Sequence, residues 1–104
     1  MRTILLFLVV ACVVGVVHAN PIASNCTFKG HKLYGKVKIV ESFPDIKIKI
    51  VESFPDLKVK QVSSFPDRCG KWQFVESFPD VKIKFVESFP DIKIKYVESF
   101  PGIN

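Results

Sequence analysis

The sequence predicts an all-β fold, a closed ring or barrel-like array of about seven short strands built from 11-residue repeats. Three observations carry that expectation. The hexapeptide V-E-S-F-P-D, or a near copy, begins at Val40, Val51, Val62, Val75, Val86 and Val97, spaced 11, 11, 13, 11 and 11 residues apart. Between copies, branched apolar residues alternate with lysine, as in Ile46-Lys47-Ile48-Lys49, the period-2 pattern of a strand with one buried and one wet face. Each copy also holds a proline: Pro44, Pro55, Pro66, Pro79, Pro90 and Pro101. An 11-residue period would suit a helical supercoil, but interior proline costs a helix about 3 kcal/mol per position and drives the preceding residue toward extended geometry.

Taken in order, the chain begins with a segment that reads as a leader. Arg2 is a minimal positive region, Ile4–Val17 is almost wholly apolar, and Val17-His18-Ala19 supplies small residues at a cleavage position. That run of about 14 residues falls short of the ~20 needed to span a bilayer. Residues 1–19 are therefore expected to be a signal peptide and 20–104 a single β-repeat domain, with repeats over about 36–102 and no transmembrane segment in the mature chain. The expected localisation is secreted, extracellular.

Loss of the leader removes Cys12 and leaves Cys26 and Cys69. An even pair in an oxidising compartment favours an intramolecular Cys26–Cys69 disulfide over an intermolecular bridge or free thiols. Thr27–Phe28 is a short extended region, and Gly35–Val40 is a degenerate first strand without a preceding S-F-P-D. The regular strands are Ile46–Val51, Leu57–Val62, Val81–Val86 and Ile92–Val97, with Trp72–Val75 as the extended part of the divergent central copy. Ser-Phe-Pro-Asp makes the connections, where proline presets φ and aspartate or serine bonds the local backbone. If Ile46, Ile48 and Ile50 face inward, a bend near Ile50-Val51 is needed to return Val51 and Phe54 to the core. The expectation is a shared buried ring of corner phenylalanines, each worth about 2–3 kcal/mol. So short a repeat cannot bury its own face. A meander or barrel, a two-repeat solenoid and a closed ring all satisfy that need, and closure is preferred because it removes exposed edges.

Tandem copies of V-[ED]-S-F-P-D-[IVL]-K-[IV]-K, interrupted by the cysteine-containing stretch Asp67-Arg68-Cys69-Gly70-Lys71-Trp72-Gln73, resemble the septoil-knot domain over about Cys26–Gly102. The resemblance implies a small all-β domain whose chain winds twice round a ring into a seven-crossing torus knot. It implies no activity and no catalytic residues.

The residues themselves give little support for chemistry. The full chain carries a formal net charge of +5, with Arg2 leaving in the leader, and a regular repeat alternates two lysines with one glutamate and one aspartate. That is unlike the one-sided basic patch of a nucleic-acid binder, so no nucleic-acid partner is expected. His31 is the only histidine of the mature chain and lies outside the repeats. No serine stands in a nucleophile turn, and Cys26, His31 and Cys69 make an incomplete zinc set. The equivalent corner carboxylates, Asp45, Asp56, Asp67, Asp80 and Asp91 with Glu41, Glu52, Glu76, Glu87 and Glu98, are the better candidates for a Ca²⁺ site. Turn and ion-pair roles are preferred for them. No catalytic residue, metal or cofactor is assigned.

Asn25-Cys26-Thr27 is a candidate N-glycosylation site at Asn25. Arg68, Lys71 and Trp72, where repetition fails, form the candidate ligand-contact segment. The preferred alternative is that the insertion lets Cys69 reach Cys26 while Trp72 fills the place of an isoleucine. The resulting expectation is a secreted, non-catalytic scaffold or interaction module with an extracellular protein or polysaccharide partner. The rivals are a cationic defence-type protein acting on anionic membranes or cell-wall polymers and, least favoured, a small hydrolase.

Overall fold

The computed structural model describes residues 20–104, so the expected signal peptide at 1–19 lies outside the described residues. Nine strands follow in chain order: β1 (Thr27–Phe28), β2 (His31–Lys32), β3 (Gly35–Ile39), β4 (Ile46–Ile50), β5 (Leu57–Gln61), β6 (Lys71–Phe74), β7 (Val81–Phe85), β8 (Ile92–Tyr96) and β9 (Gly102–Ile103). The alternating segments are strands as expected, each ending one residue before the Val that opens the next corner. Strands β2 and β9 have no counterpart in the sequence reading, being too short to carry a period.

Six strands close a barrel in the order β6-β3-β7-β4-β8-β5, with β5 returning to β6, and every one of these pairings is parallel. Closure is the expected outcome, but the arrangement is neither a meander nor a simple coil. Chain neighbours β3, β4 and β5 occupy alternate places round the barrel, and β7 and β8 fill the gaps they leave. The chain thus advances two places per repeat. Six places would return it on top of β3 after one circuit. The step from β5 to β6 avoids this by advancing only one place, and it coincides with the copy that holds two extra residues. The second winding is thereby interleaved with the first. It ends as β9 pairs antiparallel with the start of β5 through Leu57 and Lys58, while β6 holds the end of β5 through Lys60 and Gln61.

Each parallel pairing is displaced along the strands, by about 12 residues over one circuit, so the barrel is strongly sheared. Inward residues at matching height then form layers. Gly35, Ile46, Leu57, Gly70, Val81 and Ile92 make one layer, and Val37, Ile48, Val59, Trp72, Ile83 and Ile94 the next; all twelve are buried. The third layer, Ile39, Ile50, Gln61, Phe74, Phe85 and Tyr96, sits at the strands' C-terminal ends and is exposed or half-buried. Alternation therefore holds through Ile50, which is 46% exposed because it lies at the barrel mouth.

The opposite end is covered by the segment before β3. Ile22, Cys26, Phe28 and Leu33 join the same core, and the Leu33 carbonyl accepts from the Gly70 amide and from Trp72 Nε1. Glycine is required at position 70, where φ is +86° and a Cβ would stand 2.5 Å from the Lys58 carbonyl oxygen.

The expected phenylalanine core is absent. Phe43, Phe54, Phe65, Phe78, Phe89 and Phe100 are 78–92% exposed, and Val51 is only half-buried. No bend returns them inward, because the next residues of the chain must cross another strand rather than continue along the same one.

Candidate functional site

The corners are crossings. After β4, the Val51 amide donates to the Ile94 carbonyl of β8; five residues later the Asp56 amide donates to the Lys93 carbonyl. Residues 51–56 therefore pass from one flank of β8 to the other. They pass outside, since Ile92 and Ile94 fill the inner face. Equivalent bonds carry residues 40–45 over β7, residues 75–80 over β3 and residues 86–91 over β4.

The aspartate ending each regular corner grips the strand it has crossed. Asp56 Oδ2 accepts from the Lys93 amide while its own amide donates to the Lys93 carbonyl. Asp45 holds Lys82, Asp80 holds Lys36 and Asp91 holds Lys47 in the same two-point manner, with side-chain bonds of 2.8–2.9 Å. These carboxylates thus serve as backbone clamps, and among the described residues no group of three or more His, Cys, Asp or Glu is placed to hold a metal ion. Replacing Asp91 by alanine should cost about 1 kcal/mol, a typical net value for one hydrogen bond. Asp67 instead bonds the Phe65 carbonyl of its own corner through its amide, so Asp67→Ala should change stability by less than about 0.5 kcal/mol. Urea midpoints of the two variants check the contrast.

Crossing a strand in so few residues requires a reversal at the phenylalanine. All six have φ of 54–56°, a left-handed conformation that is uncommon for a bulky residue and costs about 1–2 kcal/mol. The ring is then carried outward at the crest of the crossing, and proline fixes the next φ. Phe78→Gly should leave stability unchanged or raise it by about 1 kcal/mol, as relief of backbone strain outweighs the added freedom of glycine in the unfolded chain. A loss of 3–5 kcal/mol, the cost of a core phenylalanine, would show that the ring is buried. Thermal unfolding of the purified variant decides it.

Four regular crossings, the one-place step at Phe65 and the last corner at Phe100 place six phenyl rings in a belt round the barrel. Around them, Lys36, Lys47, Lys82 and Lys93 and the corner glutamates are exposed. Among the described residues the one aromatic pair is Trp72 with Phe74, edge to face at 6.1 Å between centroids, so the corner rings stand singly. At the mouth, a shallow cleft of about 270 Å³ is lined by Lys60, Gln61, Tyr96, Val97 and Glu98. Lys60 Nζ donates to the Glu98 carbonyl at 2.7 Å, and burial pushes the Tyr96 phenol above its ordinary pKa.

The central segment is divided. Trp72 is 1% exposed, with its indole N–H satisfied by Leu33 at 3.0 Å, and it offers no ring face to a ligand. Arg68 is exposed and Lys71 half-buried. Cys69 is bonded to Cys26 with a Cα–Cα separation of 5.8 Å. Asn25 is exposed, and its Oδ1 accepts from the Thr27 hydroxyl. His31 pairs with Phe28 in the antiparallel β1–β2 hairpin, apart from the repeated corners.

The sequence reading missed the belt. Its one available signal was that a residue must reverse the chain in each corner, and Phe-Pro offers no glycine to do so.

Comparison with known proteins agrees with this architecture. A stretch of 48 residues is 71% identical to "Uncharacterized protein slr1025" of Synechocystis sp., covering 46% of this chain and 43% of that protein. The chain thus spans less than half the length of the curated relative it matches. Residues 30–104 match the 7(1) septoil knot domain, and with most of its length so matched, the protein belongs to the septoil knot domain family.

Proposed function

We propose that the protein is a secreted, non-catalytic scaffold that acts as an extracellular interaction module through its belt of corner phenylalanines. The observation that carries this reading is the choice of residue at each crest. A solvent-exposed position with positive φ favours glycine or asparagine on both steric and solubility grounds, yet all six corners hold phenylalanine. Val, Ser and Pro are likewise kept in all six corners, while Ser63 stands in place of glutamate in one and Gly102 in place of aspartate in another. Backbone strain kept at an exposed residue points to a working surface.

Secretion is supported by the leader-like residues 1–19 and by the Cys26–Cys69 bridge. Among the described residues, no helix is long and apolar enough to cross a membrane. The lack of a catalytic role is inferred from the use of the corner aspartates as clamps and of the serines as repeated turn residues. The cationic reading is less favoured, because the lysines alternate with glutamates round the belt instead of forming one basic face.

Fractionating the native host tests the proposal. The chain should occur outside the cell, beginning at Asn20 and attached to surface or matrix material. A variant with all six corner phenylalanines replaced by glycine should be secreted but free in the medium. Retention of the wild type in the cytoplasm would overturn secretion, and identical distribution of the two proteins would overturn the belt as the contact surface.

A further inference from the structure

We propose that the phenylalanine belt binds a neutral polysaccharide, each ring stacking on the C–H face of one sugar unit; this rests on the reading of the belt as the contact surface. Three features of the belt select that ligand.

The first is the size of each contact. A stable protein interface needs about 800 Å² of continuous surface on each partner, whereas one aromatic side chain offers about 150–250 Å². The corner rings are 78–92% exposed and, among the described residues, none pairs with another aromatic. Each is a separate site of about the dimensions of one pyranose ring. The negative face of the phenyl quadrupole suits weakly positive C–H groups.

The second is charge. Every glutamate of the corners stands two residues before a phenylalanine, at Glu41, Glu52, Glu76, Glu87 and Glu98, and is exposed beside it. Lysines of the neighbouring strands offset these charges, and four corner aspartates are engaged by backbone amides. Although the chain is net positive, interleaved charges of both signs beside five of the six rings offer an anionic membrane or nucleic acid no one-sided basic patch, and they place a carboxylate where an anion would have to approach. An uncharged ligand meets no such repulsion.

The third is repetition. Single stacking contacts are weak, but a polymer that engages several of them binds with an effective concentration set by the scaffold. The positive φ at phenylalanine and the following proline hold all six rings in one backbone conformation, so little freedom is lost on binding. Rings directed round the whole barrel can meet more than one polymer chain, which suits the protein to cross-linking a matrix.

The experiment is sedimentation of the purified, disulfide-intact protein with an insoluble unbranched β-glucan, compared with phosphatidylserine-containing vesicles and with protein alone, at low and high salt. Co-sedimentation with the glucan should occur and should be unaffected by salt. Successive Phe→Gly replacements should weaken it about two- to tenfold per ring. Phe→Tyr at the same positions should retain binding, and Phe→Leu, which keeps apolar bulk but not the π face, should lose it; both variants guard against a folding defect in the glycine series. Failure to bind the glucan, or binding indifferent to all six replacements, overturns the proposal. Phe-dependent binding to vesicles, or Phe-dependent sedimentation of the protein alone, overturns the sugar ligand while leaving the belt as a contact surface.

Discussion

Replacing Trp72 by alanine should destabilise the protein by about 3–5 kcal/mol, the range for removing a large aromatic from a packed core. Trp72 is the largest member of the central layer, opposed by Val37, Ile48, Val59, Ile83 and Ile94. The layer beside it is short of side chains, because Gly35 and Gly70 occupy adjacent strands there. Collapse into the resulting void is therefore limited on that side. The substitution also leaves the Leu33 carbonyl with one fewer donor, although the Gly70 amide still reaches it. Trp72→Phe separates the two effects: it keeps most of the volume and should cost less, about 1–3 kcal/mol. Urea unfolding followed by far-ultraviolet circular dichroism measures both. Equal values for Ala and Phe would mean that the hydrogen bond, not the packing, holds this part of the barrel.

What could be read from the sequence was whatever is encoded locally. Ile46-Lys47-Ile48-Lys49 specifies a strand and its faces within a few residues, and β4 spans Ile46–Ile50, one residue short of the expected Ile46–Val51. With Cys12 assigned to an expected leader, the two remaining cysteines specify their pairing by arithmetic, and Cys26 is bonded to Cys69. Closure followed from the need to hide edges. The interleaving did not, because the partners that define it lie far apart: Asp45 grips Lys82 across 37 residues and Asp80 grips Lys36 across 44. Near-identical repeats make several registers equally plausible in local terms, and only the spacing of 13 marks the one-place step that selects among them. The phenylalanines misled for a related reason. Hydrophobicity assigns a residue to the interior by default, and nothing within the hexapeptide states that it must climb over another strand. The positive φ recurs at every crest, including Phe65 at the one-place step, and that the corners carry their rings outward became visible only once the topology was known.

Reduction of the Cys26–Cys69 bridge should lower stability by about 4 kcal/mol on the chain-entropy estimate for a loop of 43 residues. The loss should be uneven across the fold. The bridge joins the β1–β2 hairpin segment to the turn that makes the one-place step, and the hydrogen bonds that otherwise tie those parts converge on the Leu33 carbonyl, which accepts from the Gly70 amide and from Trp72 Nε1. Pairings at β7, β4 and β8 lie on the far side of the ring and keep both flanking strands and their aspartate clamps without it. Amide hydrogen exchange after reduction should therefore accelerate first at Cys26, Leu33, Gly70 and Lys71, with Ile48, Ile83 and Ile94 following only through global unfolding. Loss of the covering segment also exposes the layer containing Ile46, Leu57 and Ile92, so Trp72 emission should shift to the red in the same step. Uniform acceleration at every amide would instead mean that the bridge restrains the barrel as one cooperative unit. In that case the covering segment is as integral to the closed ring as the repeats.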